Sequence, residues 1–242
     1  DPGDEIIVPE PAYANYTAFA IAAGAVVRPV VSTIEEGFAL PPIKEFEKLI
    51  TPKTKGILIC NPNNPTGYLY TRKEMNQIRD LVKKYDLFLF SDEVYREFCY
   101  TGAPYISAFH LDGIEKNIIL IDSVSKRYSE CGIRIGALVC KNKTIHESVM
   151  KFCQARLSPP LIGQIVAEAS IDVEPMLHDT LCGGVYGSND YTRLHSSTVT
   201  LNAVKASRTG EKSSVLSSIF PKKEYLERRY PDLKKHPYLL PV

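Results

Sequence analysis

Short apolar runs alternate with helical stretches over the first 170 residues, and this alternation constrains the fold more than any other feature of the sequence. Each run has only four to six residues, many of them β-branched, which is typical of buried strands. Strands that alternate with helices form mostly parallel sheets. The sequence therefore predicts an α/β fold with a mostly parallel sheet sandwiched by helices. The predicted strands are 5–8, 26–31, 56–60, 87–90, 117–121 and 136–140, and the predicted helices are 13–23, 41–50, 71–85, 144–155 and 160–171.

The pattern changes after about Asp172. Glycine, serine and threonine are frequent between Leu181 and Ser218, and neither the strand period nor the helix period is sustained there. Such a composition is typical of segments that bury little apolar surface. We therefore predict one domain over residues 1–172 and an irregular, poorly ordered tail over residues 173–242, whose role the sequence does not indicate.

Composition and charge exclude several functional classes. The 29 basic and 28 acidic side chains leave a net charge of +1, so the sequence predicts neither a nucleic-acid partner nor a membrane partner. The apolar runs are too short to span a bilayer, and the first residues do not resemble a signal peptide. The six cysteines are scattered without a C-x-x-C pair, which predicts no metal site and a reducing, cytoplasmic location.

One lysine closely follows a predicted strand. Strand 117–121 leads into the polar turn 123–125, and Lys126 comes next, at the sheet edge where open α/β folds bind ligands. Such a lysine is either a solvated charge or a Schiff-base lysine, whose amine must lose its proton. Its pKa of about 10.4 would have to fall by roughly 3.4 units, or about 4.6 kcal/mol, and the nearby cations Arg127 and Arg134 act in that direction. The stretch alone leaves both interpretations open.

Three polar residues follow two other predicted strands. Asn64 lies in the turn after strand 56–60, and Asp92 and Tyr95 follow strand 87–90. In a structural interpretation Asn64 completes its turn, Asp92 pairs with a helix arginine and Tyr95 packs in the core. In a functional interpretation Asp92 pairs with a protonated pyridine nitrogen, while Asn64 and Tyr95 donate hydrogen bonds to a phenolate oxygen.

Further candidates complete a set of ligand-binding groups. The planar fork of Arg134 suits a phosphate dianion, Ser123 adds a hydroxyl donor, and Tyr13 offers a ring that can lie against a flat ligand. One ligand with an aldehyde for Lys126, a pyridine nitrogen, a phenolate and a phosphate would use the whole set. That ligand is pyridoxal 5′-phosphate, which the sequence predicts as the cofactor.

Four motifs carry a resemblance to a known family: PGDEIIVPEPAYANY at 2–16, NNPTG at 63–67, SDEVY at 91–95, and SVSK followed by RIG within 123–136. On these motifs, residues 1–172 resemble the large, cofactor-binding domain of the class I/II (fold-type I) pyridoxal-phosphate aminotransferases. The resemblance implies a role for each candidate: Lys126 forms the Schiff base, Asp92 pairs with the pyridine nitrogen, Asn64 and Tyr95 bind the phenolic oxygen, Ser123 and Arg134 bind the phosphate, and Tyr13 stacks on the ring.

The resembling enzymes act on pairs of amino acids and 2-oxo acids as homodimers, and we expect the same here. Two alternatives stay open: another enzyme of this fold, such as a C–S lyase or a decarboxylase, and a non-catalytic remnant that only binds the cofactor. The family's phosphate loop and the small-domain arginine that holds the substrate carboxylate are not recognised in the sequence. The sequence therefore predicts cofactor attachment at Lys126 with little turnover.

Overall fold

The computed structural model describes residues 1–171 and 239–241 of the 242-residue chain. Most of the predicted tail, residues 172–238 and 242, lies outside the described residues, and the prediction made for it stays a prediction. The strands are β1 (Glu5–Glu10), β2 (Val26–Val31), β3 (Thr54–Cys60), β4 (Phe88–Asp92), β5 (Ile118–Ser123), β6 (Gly136–Cys140) and β7 (Leu239–Pro241). The helices are α1 (Asn15–Ala22), α2 (Ile43–Leu49), α3 (Arg72–Tyr85), α4 (Val124–Arg127), α5 (Lys143–Arg156) and α6 (Leu161–Ile171), with short 3-10 helices at Ala108–His110 and Cys131–Ile133.

The chain divides into two compact units. The first comprises Asp1–Ile121 and Cys140–Lys143, and the second comprises Asp122–Val139 and the chain from Thr144 onward. Five parallel strands run through the first unit in the order β2-β1-β3-β4-β5. In the second unit β6 pairs with β7 in the antiparallel direction. The predicted α/β class with a mostly parallel sheet is confirmed, as are all the predicted strands and helices.

A row of cross-strand partners forms the centre of the first unit. Ile7 lies beside Ile57, Ile57 beside Leu89, and Leu89 beside Ile118, and all four side chains are fully buried. Their β-branched and leucine side chains fit a pleated surface covered by apolar neighbours. Because the strands are parallel, their carboxyl ends meet at one edge of the sheet, and the turns after β3 and β4 begin there.

Helix α3 shows why these helices form where they do. The Thr71 hydroxyl accepts from the Glu74 amide while the Glu74 carboxylate accepts from the Thr71 amide, so the predicted capping box is present. One apolar stripe of the helix is buried, and it consists of Met75, Ile78, Leu81 and Val82. The helix ends at Asp86, whose left-handed backbone terminates the turn.

The second unit has a smaller apolar cluster of its own. Val166 of α6 is buried and packs against Ile133, with Ile165 and Ala169 beside it. Gly163 allows α6 to approach closely, because a Cβ at that position would lie 2.6 Å from the Ile133 carbonyl oxygen. The stretch 130–133 is therefore held against helix α6.

The described residues, 1–171 and 239–241, contain neither a membrane-spanning helix nor a metal-binding cluster. None of their helices has the length and apolar character needed to cross a membrane. Among the same residues, no group of three or more histidine, cysteine, aspartate or glutamate side chains is arranged to hold a metal ion.

Candidate functional site

The carboxyl ends of β3 and β4 bring two polar residues side by side. Cys60 is the last residue of β3 and pairs in register with Asp92, the last residue of β4. The Asn61 amide then donates to the Asp92 carbonyl oxygen at 2.9 Å, which continues the ladder by one bond. Asp92 is half-buried, whereas its neighbours Ser91 and Glu93 are fully buried on the other face of the strand.

Asp92 is held by hydrogen bonds from within the first unit. The Tyr16 hydroxyl donates to its Oδ2 atom at 2.6 Å, and the Val94 amide donates to Oδ1 at 3.2 Å. Burial first, and then the neighbouring Cys60 and Asp92, raise the pKa of the Tyr16 phenol, so its hydroxyl keeps its proton and remains a donor. A hydrogen bond to a carboxylate is shorter and stronger than a neutral one. Tyr16 therefore fixes the orientation of the Asp92 carboxyl group.

Sequence reasoning did not find Tyr16 or Cys60. The Cys60 thiol is buried and donates to the Pro62 carbonyl oxygen at 3.2 Å. Burial, reinforced by the charge of Asp92, raises the pKa of Cys60 to about 12, so it remains a thiol. The spacing of Tyr13 and Tyr16 could have indicated Tyr16, because residues three positions apart near the start of α1 have neighbouring side chains.

The two predicted phenolate-binding residues lie close together. Asn64 Nδ2 is 3.5 Å from the Tyr95 hydroxyl oxygen, so an amide and a phenol converge on one region. Asn61 fixes the turn that carries Asn64: its Nδ2 donates to the Ile106 carbonyl oxygen and its Oδ1 accepts from the Tyr70 amide, both at 3.1 Å. The pair is thus positioned by a buried neighbour rather than by the turn alone.

The Tyr13 ring is 42% exposed and stands at the N-terminal side of α1. It meets the Tyr16 ring edge to face, with centroids 5.5 Å apart, and its hydroxyl accepts from Asn15 Nδ2 at 2.8 Å. Through Tyr16, the predicted stacking residue is connected to Asp92. The exposed ring face is suited to a flat aromatic ligand.

A buried carboxyl group supports the segment after β4. Glu93 Oε1 accepts from the hydroxyls of Ser91 and Ser107 and from the Ala108 amide, at 3.1, 3.0 and 2.8 Å. Its other oxygen faces Arg96 Nη1 at 3.9 Å. Burial raises the pKa of Glu93 against the opposing effect of Arg96. These bonds tie the chain on either side of Tyr95 to the core.

In the second unit the predicted lysine occupies a short helix. Ser123 is the N-cap of α4 and accepts from the Ser125 amide at 3.1 Å. Its own hydroxyl lies 2.9 Å from the Ile135 carbonyl oxygen and 2.8 Å from Ser125 Oγ. Lys126 is half-buried and lies in the last turn of α4. Capping by Ser123 thus fixes the residue at which α4 begins, and with it the place of Lys126 just after β5.

Arg127, one of the two cations predicted to act on Lys126, has a carboxylate partner of its own. Arg127 Nη2 contacts both carboxylate oxygens of Asp122, at 3.1 and 3.0 Å, so its charge is compensated. Arg134 is exposed, adopts a positive φ of 59°, and donates from Nη1 to the Cys131 carbonyl oxygen at 2.7 Å. The structure thus leaves Arg134 accessible, whereas it turns Arg127 into a partner of Asp122.

A sequence profile of the family described as aminotransferase class I and II matches residues 1–216. The chain belongs to this family. Among its relatives, the putative aminotransferase YugH of Bacillus subtilis is 34% identical over 182 residues, which is 73% of this chain and 46% of YugH. Aromatic-amino-acid aminotransferase 2 of Thermococcus litoralis is 36% identical over 147 residues, or 60% of this chain and 37% of that protein.

Solved aminotransferase structures share the fold. The aspartate aminotransferase from Thermus thermophilus with maleate matches with a TM-score of 0.63 and 28% identity, over 86% of this chain and 49% of that one. The chain therefore spans about half the length of the aminotransferases that it matches. The parallel sheet and its helices are those of the aspartate aminotransferase fold.

Proposed function

We propose that this chain is the cofactor-binding part of an aminotransferase that uses pyridoxal 5′-phosphate to act on pairs of amino acids and 2-oxo acids. The match of residues 1–216 to the family, with Lys126 and Asp92 inside the shared motifs, carries the proposal. The other enzymes of this fold considered above gain no support from the named relatives, which are aminotransferases.

The residues of the first unit fit the ring of this cofactor. A carboxylate held by Tyr16 suits a protonated pyridine nitrogen, and the amide of Asn64 beside the phenol of Tyr95 suits a phenolate oxygen. The exposed face of Tyr13 suits an aromatic plane. These are the donor and acceptor types that pyridoxal phosphate requires on this side.

The residues of the second unit fit its other groups. Lys126 supplies an amine for the aldehyde, and the accessible guanidinium of Arg134 supplies a fork for the phosphate. Ser123 can add a hydroxyl donor if it turns from the Ile135 carbonyl oxygen. Capping of α4 by Ser123 holds the lysine at the carboxyl end of β5.

In the proposed mechanism the cofactor supplies an electron sink for the pair of electrons released at the substrate Cα. Asp92, held by Tyr16, keeps the ring nitrogen protonated and so maintains that sink. Lys126 would hold the cofactor through its amine, and the same amine, when free, would move a proton to and from the substrate Cα. Asn64 and Tyr95 orient the ring by binding its phenolic oxygen.

Substrate class and assembly are part of the proposal. Relatives named for aspartate and for aromatic amino acids make these the first donors to test, with 2-oxoglutarate as acceptor. A cytoplasmic homodimer is proposed from the family resemblance and from the scattered cysteines, of which the five in the described part of the chain form no disulfide. Sedimentation of the purified chain at several concentrations tests the dimer.

Reductive labelling tests the lysine. Borohydride treatment of protein incubated with pyridoxal phosphate should place the label on the peptide that contains Lys126. The Lys126→Ala variant should lose the label, while Lys73→Ala, which removes an exposed lysine on α3, should keep it. Label on another lysine of folded protein would rule out the assignment.

Exchange of the substrate α-proton with solvent tests Asp92. Asp92→Asn removes a charge-assisted bond worth about 1.5–3 kcal/mol, which corresponds to a rate loss of roughly 10- to 150-fold. Cofactor binding should change far less, because the other contacts remain. Equal exchange rates in Asp92→Asn and the parent would count against pairing with the ring nitrogen.

A further inference from the structure

Glu130 is a buried carboxyl group between Lys126 and Arg134 in the sequence. It is only 2% exposed, and its Oε1 atom lies 2.6 Å from Ser170 Oγ on helix α6. Its Oε2 atom is buried and has no hydrogen-bond partner among the described residues. An ionised carboxylate buried with a single donor is unfavourable. The protonation state of this group therefore needs an explanation.

The hydrogen bonds around Ser170 indicate the protonation state of Glu130. The Ser170 hydroxyl has one hydrogen but two oxygen neighbours, Glu130 Oε1 at 2.6 Å and the Val166 carbonyl oxygen at 2.8 Å. If Glu130 is ionised, both neighbours are acceptors and one contact lacks a hydrogen of its own. If Glu130 is protonated, its O–H donates to Ser170 and Ser170 donates to Val166. Only the neutral acid gives each short contact its own hydrogen.

The charges around Glu130 do not favour its ionised form. Besides Glu130 itself, the ionisable side chains of residues 124–134 and of α6 are Lys126, Arg127, Tyr128, Cys131, Arg134 and Glu168. None of them makes a hydrogen bond to Glu130 within the described chain, and the two arginines bond Asp122 and the Cys131 carbonyl oxygen instead. Burial raises the pKa of Glu130 to about 7, with Ser170 opposing the shift.

Helix α6 holds the same stretch of chain at a second point. Gly163 lies against the Ile133 carbonyl oxygen, and Val166 packs on the Ile133 side chain. The Glu130–Ser170 contact secures one end of this stretch and the Ile133 contacts secure the other. Lys126 precedes the stretch by four residues, and Arg134 directly follows it.

We propose that Glu130 is a neutral carboxylic acid that fastens residues 124–134 to helix α6 and thereby positions Lys126 and Arg134. The inference rests on the function proposed above for those two residues, and it makes Glu130 a positioning residue. Loss of its proton leaves one of the two Ser170 contacts without a hydrogen and places a charge in a buried site, which weakens the attachment of residue 130 to α6.

The way in which folding stability depends on pH follows from the pKa of Glu130 in the folded and in the unfolded chain. A glutamate in the unfolded chain ionises near 4.5, whereas Glu130 in the folded chain ionises near 7. Stability is therefore highest at low pH, falls as pH rises between these values, and is level above them. From pH 5.5 to pH 8.5 this linkage multiplies the unfolding constant of the parent by roughly 30. A variant without the carboxyl lacks this factor.

Glu130→Gln is the decisive variant, because its amide N–H can donate to Ser170 as the protonated acid does. Urea unfolding of the apo protein at pH 5.5, 7 and 8.5 should show the roughly 30-fold factor in the parent and in Glu168→Gln, a control that removes a half-buried carboxyl group from helix α6, but not in Glu130→Gln. Glu130→Met, apolar and of similar size, should also lack it. Hydrogen exchange in peptides covering 124–134, corrected for intrinsic rates, should rise at pH 8.5 in the parent and in Glu168→Gln, but should not change with pH in the two Glu130 variants.

One result would overturn the proposal: the same pH factor in Glu130→Gln as in the parent, whatever the absolute stability of the variant, because the carboxyl group of Glu130 would then not be the group that titrates. Failure of one variant to fold leaves the other to decide. Borohydride labelling of Lys126 at pH 6 and 8.5 separates this idea from the proposed function. No labelling in the parent would refute cofactor binding, while the apo measurements would still decide whether Glu130 fastens the stretch.

Discussion

Replacing Gly163 with alanine tests how closely helix α6 packs on the stretch before Arg134. The added Cβ would lie 2.6 Å from the Ile133 carbonyl oxygen and 3.4 Å from two Ile135 side-chain atoms. A backbone oxygen cannot rotate away, so the helix or the stretch must move by several tenths of an ångström. Overpacking of this kind costs about 1–3 kcal/mol.

Two effects oppose each other in this variant. Alanine is favoured over glycine inside a helix by up to about 1 kcal/mol, and this gain offsets part of the overpacking. We expect a net loss of about 1–2 kcal/mol in the free energy of unfolding, or roughly 2–8 °C in melting temperature. Urea unfolding and calorimetry measure both quantities.

Gly132→Ala is the matched control for this change. Gly132 lies on the other side of the same contact, in the 3-10 helix, and a Cβ there would have no atom within 4 Å. Its stability should stay within about 0.5 kcal/mol of the parent. Gly163→Ala as stable as Gly132→Ala would show that α6 does not pack as closely as described.

Three further predictions concern the first unit. Gly56→Ala would place a methyl group 2.7 Å from the Phe88 carbonyl oxygen in the middle of the sheet, so urea unfolding should show a loss of about 1–3 kcal/mol, and an unchanged midpoint would contradict that packing. Thr71→Ala removes the capping box of α3 and should cost about 0.5–2 kcal/mol in the same assay; no loss would mean that the cap contributes nothing. Because burial raises the pKa of Cys60 to about 12, a disulfide reagent at pH 8 should modify the exposed Cys131 long before Cys60, as peptide mapping can check; early labelling of Cys60 would disprove its burial.

Periodicity predicted the elements of this fold because each strand and helix is encoded locally. The apolar run 117–121 and the capping box at Thr71 need no knowledge of distant residues, and both are present. Helix α4 was not predicted, since four residues are too few to show a helical period. The same local reasoning placed Lys126 after β5, as observed, whereas it placed Asp92 beyond a strand that in the structure extends to include it.

The contacts around the candidate site could not be predicted in this way, because they join residues far apart in the chain. Tyr16 reaches Asp92 across 76 positions, and Ser170 reaches Glu130 across 40. No local pattern signals such pairs. The ion pair of Arg127 was missed for a different reason: its partner Asp122 is only five positions away, but the short helix α4 that brings them together was not predicted.

Neither compact unit is a continuous piece of chain. The polypeptide leaves the first unit after Ile121, returns at Cys140 and departs again after Lys143. The returning piece carries Lys141, whose amine lies 5.5 Å from the centre of the Phe109 ring in the first unit. A fragment that ends at Ile121 would contain Phe109 but not Lys141. A fragment that begins at Asp122 would contain Lys141 but not Phe109. Split-protein experiments therefore require fragments that re-associate, rather than two independently expressed halves.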